Sequence, residues 1–238
     1  MRHYGIIGMP LEHSFSARYF GEKFAREGID ADYRLFPIDT IGKVEPLLPQ
    51  LDGFNVTFPY KQAIFPYLQA IDEVAQTIGA VNVVRGRTGY NTDWIGFAQS
   101  LHPMLQPHDR QALILGTGGV SKAVRYALEQ SGIHSTFVSR RPQKGMLTYG
   151  DLIQEVIEAH TLIINCTPLG MYPDVKSCPD IPYIYIGAHH LLFDCVYNPE
   201  QTEFLRQGAA HGARTKNGLQ MLYEQADAAW KIWNETNQ

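Results

Sequence analysis

The chain has 238 residues, 45% of them hydrophobic, and a formal net charge of −4. That is enough apolar material for one large or two smaller cores. An acidic balance without any run of Lys and Arg argues against a nucleic-acid partner. No stretch approaches the ~20 apolar residues of a membrane helix, and the apolar run of the opening MRHYGIIGMPLEHS is too short for a signal peptide. Cys166, Cys178 and Cys195 form no CxxC and cannot all pair, so a reducing, cytoplasmic location is expected. Adjacent His189 and His190 have no cysteine nearby at zinc spacing, and HExxH is absent; no metal is expected.

In chain order, YGIIG (4–8), YRLFPI (33–38), FNVTF (54–58) and AVNVV (80–84) read as strands. SARYFGEKFAREG (16–28) reads as a helix with Ala17, Phe20 and Phe24 on one stripe. Thr57 suits a helix cap and Pro59 a first helical turn, which would set Lys61 near a helix N-terminus, where the backbone dipole disfavours a cation by roughly 0.3–1 kcal/mol. Gly86 and Gly89 suggest a hairpin turn, and the Pro-rich, polar segment 102–111 reads as a linker. ALILG, STFVSR, TLIINCT and LLFDCVY follow. These nearly continuous apolar runs are the mark of strands buried on both faces of a parallel sheet. The helix VSKAVRYALEQSG lies between the first two, with Val120, Val124, Ala127 and Leu128 on one side. GLQMLYEQADAAWKIW closes the chain as an amphipathic helix. Leu222, Ala226, Ala229 and Trp233 form its buried stripe, with Met221 and Gln225 on the flank.

ALILGTGGVSKA (112–123) is strand, glycine turn, helix. Gly116 permits the tight turn, Gly118 lets backbone N–H groups approach a pyrophosphate, and Gly119 opens a helix whose N-terminus favours anions. Cofactor choice is written ~20 residues on, where an NAD site offers Asp or Glu to the ribose. Segment 135–144 holds no acid and carries Arg140, Arg141 and Lys144. Guanidinium groups there suit a 2′-phosphate, so NADP is expected over NAD, with Arg140 as the main anchor. A nicotinamide enzyme acting on a carbonyl needs a group to serve the new alkoxide. Lys61 is a candidate, and Asp93 of GYNTDWIGF is a candidate partner acid. In isolation each has an ordinary reading, as an exposed lysine and a turn-capping Asp.

The motifs GMPLEHSFS, NVTFPYK, GAVNVV, GYNTDWIGF, GTGGVSKA, INCTPLGM, DCVYNPEQTEFL and NGLQMLYEQA, in that order, together resemble shikimate dehydrogenase over almost the whole chain. The resemblance implies NADPH-dependent reduction of 3-dehydroshikimate to shikimate in aromatic amino acid biosynthesis. It implies a two-domain α/β fold with an interdomain cleft: a substrate-binding domain over 1–101, a Rossmann-like NADP-binding domain over 102–216, and a C-terminal helix, 217–238, returning to the first domain. By motif, Lys61 matches the catalytic lysine and Asp93 its partner. Ser14 and Ser16 match serines that bind the substrate carboxylate, and Thr57, Asn82, Tyr197 and Gln225 match other substrate contacts. Gly116, Thr117, Gly118, Gly119 and Val120 match the pyrophosphate loop. Ser139, Arg140, Arg141 and Lys144 match the adenosine-phosphate clamp, and Cys195 and Gly218 fall where backbone meets nicotinamide.

Three departures stand out. Ala17 replaces a usual proline, and the clamp reads SRR where Asn-Arg-Thr is common. Only ~20 residues join SRR to TLIINCT, room for roughly one helix at 1.5 Å per residue, so the cofactor domain is trimmed. The expected partner is a small-molecule substrate, with neither nucleic acid nor membrane, for a monomer or homodimer. The alternatives are a quinate/shikimate dehydrogenase using NAD or both cofactors, and a non-catalytic nucleotide-sensing module. The basic pair argues against the first, and the presence of both Lys61 and Asp93 against the second.

Overall fold

The computed structural model describes residues 1–11 and 14–234. The chain divides into two compact units, Met1–Thr92 with the chain from Ala226 onward, and Asp93–Gln225. In the first unit the order is β1 (Arg2–Gly8), α1 (Phe15–Glu27), β2 (Ala31–Pro37), β3 (Gly53–Val56), β4 (Ala70–Ile71), α2 (Glu73–Ile78), β5 (Val83–Arg85) and β6 (Thr88–Tyr90). Its sheet runs β2-β1-β3-β5-β6-β4. β1 is parallel to β2 and β3, whereas β5 is antiparallel to β3 and β6. The expected hairpin joins β5 to β6, and Gly86, at φ +56°, supplies the left-handed turn residue.

The second unit contains α3 (Asp93–Leu101), β7 (Gln111–Leu115), α4 (Gly119–Gln130), β8 (His134–Ser139), β9 (Leu147–Thr148), α5 (Gln154–Ala159), β10 (Leu162–Asn165), β11 (Leu191–Asp194), α6 (Glu203–Ala210) and β12 (Arg214–Lys216). Its sheet runs β12-β11-β10-β7-β8-β9, every pair parallel. The apolar runs ALIL, LIIN and LLFD explain this arrangement, because alternate residues feed two cores. Ile114, Ile164 and Phe193 pack with Val124 and Leu128 of α4 on one face. Leu113, Ile163 and Leu192 pack with Phe204 and Leu205 of α6 on the other. Between β8 and β10 there is room for the two-residue β9, one 3-10 turn and the six-residue α5.

The last helix, α7 (Leu219–Asn234), begins in the second unit and ends in the first. Its final turns join an aromatic cluster with Tyr4, Phe20 and Phe24. Trp233 Nε1 donates to the Val84 carbonyl at 3.0 Å, and a Cβ on Gly53 would strike the Trp233 ring, so the strand backbone lies directly against the indole.

Two local readings need correction. No helix starts at Thr57: residues 57–64 form turns, followed by a 3-10 turn at Phe65–Tyr67, and the Phe58–Pro59 bond is cis. A helix there needs the Lys61 carbonyl for the Phe65 N–H. That carbonyl instead accepts from Val81 N at 2.7 Å, and Phe65 N donates to Gln62. Segment 102–111, read as a linker, is tied down inside the second unit. Buried Asp109 accepts from Arg214 Nη2 at 3.1 Å and from the Thr161 hydroxyl at 2.8 Å.

Candidate active site

In the first unit, five of the candidate residues gather at the end of the sheet where β1 and β3 finish. Ser14 is the extended residue before α1 and makes no side-chain cap hydrogen bond. Ser16 lies inside the first turn of α1 rather than in an extended segment, and it is buried. Thr57 follows β3, where its N–H donates to the Ile7 carbonyl of neighbouring β1 at 2.9 Å. Asn82 immediately precedes antiparallel β5, and its carbonyl accepts from Val56 N. Half-buried Lys61 is fixed beside the Val81–Asn82 step by the bond from Val81 N.

Beneath these side chains runs a polar layer that sequence reading missed. The Ser16 hydroxyl is hydrogen-bonded to the buried Tyr33 hydroxyl, whose ionisation burial pushes far up. Tyr33 donates to Asn55 Oδ1 at 2.7 Å, and Asn55 Nδ2 donates to the Asn82 carbonyl at 3.2 Å. The Asn82 side chain is clamped by Thr92, accepting from its N–H at 2.7 Å and donating to its hydroxyl at 3.0 Å. A buried amide needs such partners, and here they fix the orientation of the Asn82 head. A polar Asn55 in the otherwise apolar, wholly buried strand GFNV was the one available signal.

Asp93 opens the second unit as the first residue of α3, buried, directly after Thr92. At that place its carboxylate complements the helix dipole. Gln225, on α7, donates to the Leu222 carbonyl at 2.9 Å. It packs against α3 at Gly96, where a Cβ would lie 2.9 Å from Gln225 Cβ. Tyr197 is half-buried in the loop after β11.

The cofactor candidates collect at the carboxyl ends of the parallel strands. Strand order reverses between β7 and β10, the topological switch point where open α/β sheets bind ligands. Gly116 follows β7 with φ +106°, a conformation that favours glycine, and a Cβ there would press on Thr167 Cγ2 at 3.2 Å and the Cys166 carbonyl at 3.3 Å. Thr117 and the α4 cap Gly118 lead into Gly119 and Val120, so the helix N-terminus opens at the switch point. Ser139 ends β8, accepting from Arg141 N at 3.2 Å and Gln143 Nε2 at 3.3 Å. This folds the turn that carries exposed Arg140, Arg141 and Lys144. Across the sheet, Gly218 donates to the Val196 carbonyl at 3.1 Å and lies so close to the Cys195 carbonyl that a side chain would collide.

The ends of β10 and β11 are bound together by a second buried network. Asn165 Nδ2 donates to Asp194 Oδ1 at 3.0 Å, which also accepts from Val196 N at 3.0 Å, and Thr202 donates to Asp194 Oδ2 at 2.5 Å. Burial pushes the Asp194 carboxyl up to about 6, against these three donors, which favour the anion. Among the described residues, no group of three or more His, Cys, Asp or Glu side chains is arranged to hold a metal ion. No helix of the described residues is long and apolar enough to cross a membrane.

Known proteins resemble this arrangement over its whole length. The family model for the shikimate dehydrogenase substrate binding domain matches residues 6–84. A shikimate dehydrogenase (NADP(+)) of Caldicellulosiruptor saccharolyticus is 32% identical over 252 residues, covering 96% of this chain and 90% of its own. One from Clostridium beijerinckii is 36% identical over 251 residues, covering 99% and 93%. The chain belongs to the shikimate dehydrogenase family. The crystal structure of the Aquifex aeolicus shikimate dehydrogenase superposes with a TM-score of 0.87 at 32% identity, covering 98% of this chain and 92% of the other. The Thermus thermophilus enzyme in complex with NADP(H) and shikimate also gives 0.87, at 29% identity and with 98% and 94% coverage. The two-domain α/β fold expected from the sequence is that of the family.

Proposed function

We propose that this protein is an NADP-dependent shikimate dehydrogenase, reducing the ring ketone of 3-dehydroshikimate to the hydroxyl of shikimate. The observation that carries the reading is near full-length similarity to relatives named for that activity and cofactor. The chain's own features fit the dinucleotide. Gly116 leaves a cradle that a Cβ would fill, and the turn after β8 presents three cations with no acid between Ser135 and Lys144.

Gly116 to Val120 would hold the pyrophosphate through backbone N–H groups and the α4 N-terminus. Arg140, Arg141 and Lys144 would take the 2′-phosphate, with Ser139 shaping their turn, and the backbone at Cys195 and Gly218 would border the nicotinamide. When bound, NADPH supplies a hydride to the carbonyl carbon. Ser14 and Ser16 hold the substrate carboxylate, while Thr57, Asn82, Tyr197 and Gln225 hold the remaining ring substituents and so orient the ketone. Lys61 Nζ gives a hydrogen bond and then a proton to the ketone oxygen, and the Asp93 carboxylate keeps the ammonium directed at it. Three free thiols fit a reducing cytoplasm, and the protein works on a small molecule as a monomer or homodimer.

The test is a spectrophotometric assay of NADP or NAD reduction with shikimate or quinate, the four combinations run in parallel on wild type and Arg140→Ala. Shikimate with NADP is expected to dominate, and the variant to raise the KM for NADP far more than that for NAD. Wild-type preference for NAD, or an equal effect of the variant on both cofactors, overturns the clamp assignment. Absence of turnover in every combination overturns the activity.

A further inference from the structure

Two thiols at the carboxyl ends of β10 and β11 have no task in the reaction above. Cys166 directly follows β10 and Cys195 directly follows β11. The parallel register pairs Asn165 with Asp194, and Cys195 N continues the ladder by donating to the Asn165 carbonyl at 2.9 Å, so the two cysteines are opposite one another. Strand alternation sends both to one face: they pack with Ile164 and Phe193, not with Ile163 and Leu192. Their sulfurs are 3.7 Å apart. Neighbouring strands lie ~4.8 Å apart, within the Cα separation of roughly 4.4–6.8 Å that a disulfide spans. The third cysteine, Cys178, is elsewhere, with its sulfur accepting from Gln207 Nε2 at 3.3 Å. Both members of the pair are half-buried and pack against one core of the sheet, which keeps them together.

We propose that Cys166 and Cys195 are a redox modification site, closed by hydrogen peroxide into a reversible intrachain disulfide that lowers activity. The Cys166 thiolate attacks the peroxide O–O bond, giving a sulfenic acid and releasing hydroxide, which takes up the thiol proton as water. The Cys195 sulfur then displaces the sulfenic oxygen; the S–S bond forms, the S–O bond breaks and a second water leaves with the Cys195 proton. Two thiols are oxidised by two electrons and one peroxide is reduced to two waters. Cys195 suits the second role, because its hydrogen bond with Cys166 and its burial keep its thiol well above the ordinary value. Closure draws together the backbone against which Gly116 and Gly218 are packed. The effect on activity therefore rests on the proposed dinucleotide site, whereas the cross-link does not.

The experiment exposes full-length wild type to millimolar peroxide, alkylates with iodoacetamide and maps peptides by mass spectrometry. The expected result is a cross-linked peptide pair carrying Cys166 and Cys195, with Cys178 alone alkylated. Cys178→Ser is expected to keep the cross-link, and kcat/KM to fall by about 10²-fold, the scale of a small misplacement of bound groups, returning with dithiothreitol. Cys166→Ala is expected to stay active in peroxide. Three alkylated thiols after peroxide, a cross-link through Cys178, or a Cys166–Cys195 disulfide with unchanged kcat/KM overturns the inference. If the reduced protein shows no turnover, the proposed activity fails, and the peptide map still decides whether the pair closes.

Discussion

Lys61 lies in a run of turns whose shape is set by distant backbone, not by its own neighbours. Thr57 and Pro59 carry the local signals of a helix start, and these lose to the long-range bond from Val81 N to the Lys61 carbonyl. A single hydrogen bond contributes only about 0.5–1.5 kcal/mol, but Tyr60 and Ile64 are buried on either side and their burial favours the same path. The lysine was legible as a candidate while its local structure was not. The same holds for Ser16 of α1, whose partner Tyr33 comes from β2, and for Asn82, whose partner Thr92 lies across a hairpin. If Lys61 delivers the proton, Lys61→Ala is expected to lower kcat by about 10²–10⁴, roughly 3–5 kcal/mol of barrier, with little change in the KM for shikimate. Steady-state kinetics at saturating NADP checks this, and near-normal turnover would remove Lys61 from the acid–base role.

Among elements, the parallel sheet was the most legible because both of its faces are buried. ALIL is apolar throughout, and LIIN and LLFD are apolar up to their last residues, Asn165 and Asp194, so composition alone marks them as interior strands. β4 and β9 have two residues each, too few for any period to show, and they exist because neighbouring strands supply partners. The start of α3 at Asp93 was hidden because the preceding Tyr90–Thr92 stretch reads as a strand end and a turn. β11 ends on a carboxylate with a consequence for pH. Asp194 titrates near 6 in the folded chain, against about 3.9 in an unfolded one, so the native state holds this proton more tightly. The group therefore costs stability above pH ~6, and that cost disappears as pH falls from about 6 towards 4, a change on the order of 3 kcal/mol. Urea unfolding across pH 7 to 4 is expected to show wild type gaining on Asp194→Asn as pH falls. Parallel curves for the two proteins would place the native carboxyl at its ordinary value.

At the level of the whole molecule, the first unit is assembled from the two ends of the chain. Trp233, 6% exposed, packs on the Tyr4 ring at 4.9 Å between centroids and bonds the Val84 carbonyl. Trp233→Ala removes a buried aromatic ring, a loss of roughly 3–5 kcal/mol. Hydrogen exchange is expected to show amides of β1 and β5 losing protection while β10 and β11 keep theirs, because the second unit holds none of this cluster. Uniform loss through both sheets would mean that the units unfold as one. Ala226, Ala229 and Trp233 of the expected stripe in the last helix are buried, but at its start Met221, expected on the flank, takes the core position and Leu222 is half-buried. The partners of this helix were not legible, since nothing local in GLQMLYEQADAAWKIW points to Tyr4, more than two hundred residues away.

Residues 93–225 form one uninterrupted stretch, whereas the sheet that starts at Arg2 is covered by Ala226, Ala229 and Trp233. Translation therefore delivers the pieces out of order. The nascent chain can complete residues 93–225 while its first portion waits, still missing a wall of its core, for Ala226–Trp233 to be synthesised. Completion of the aromatic cluster around Tyr4, Phe20 and Phe24 is thereby tied to synthesis of Ala226–Trp233, so a ribosome stalled before them holds a chain whose second unit is fully synthesised while the first still lacks that wall.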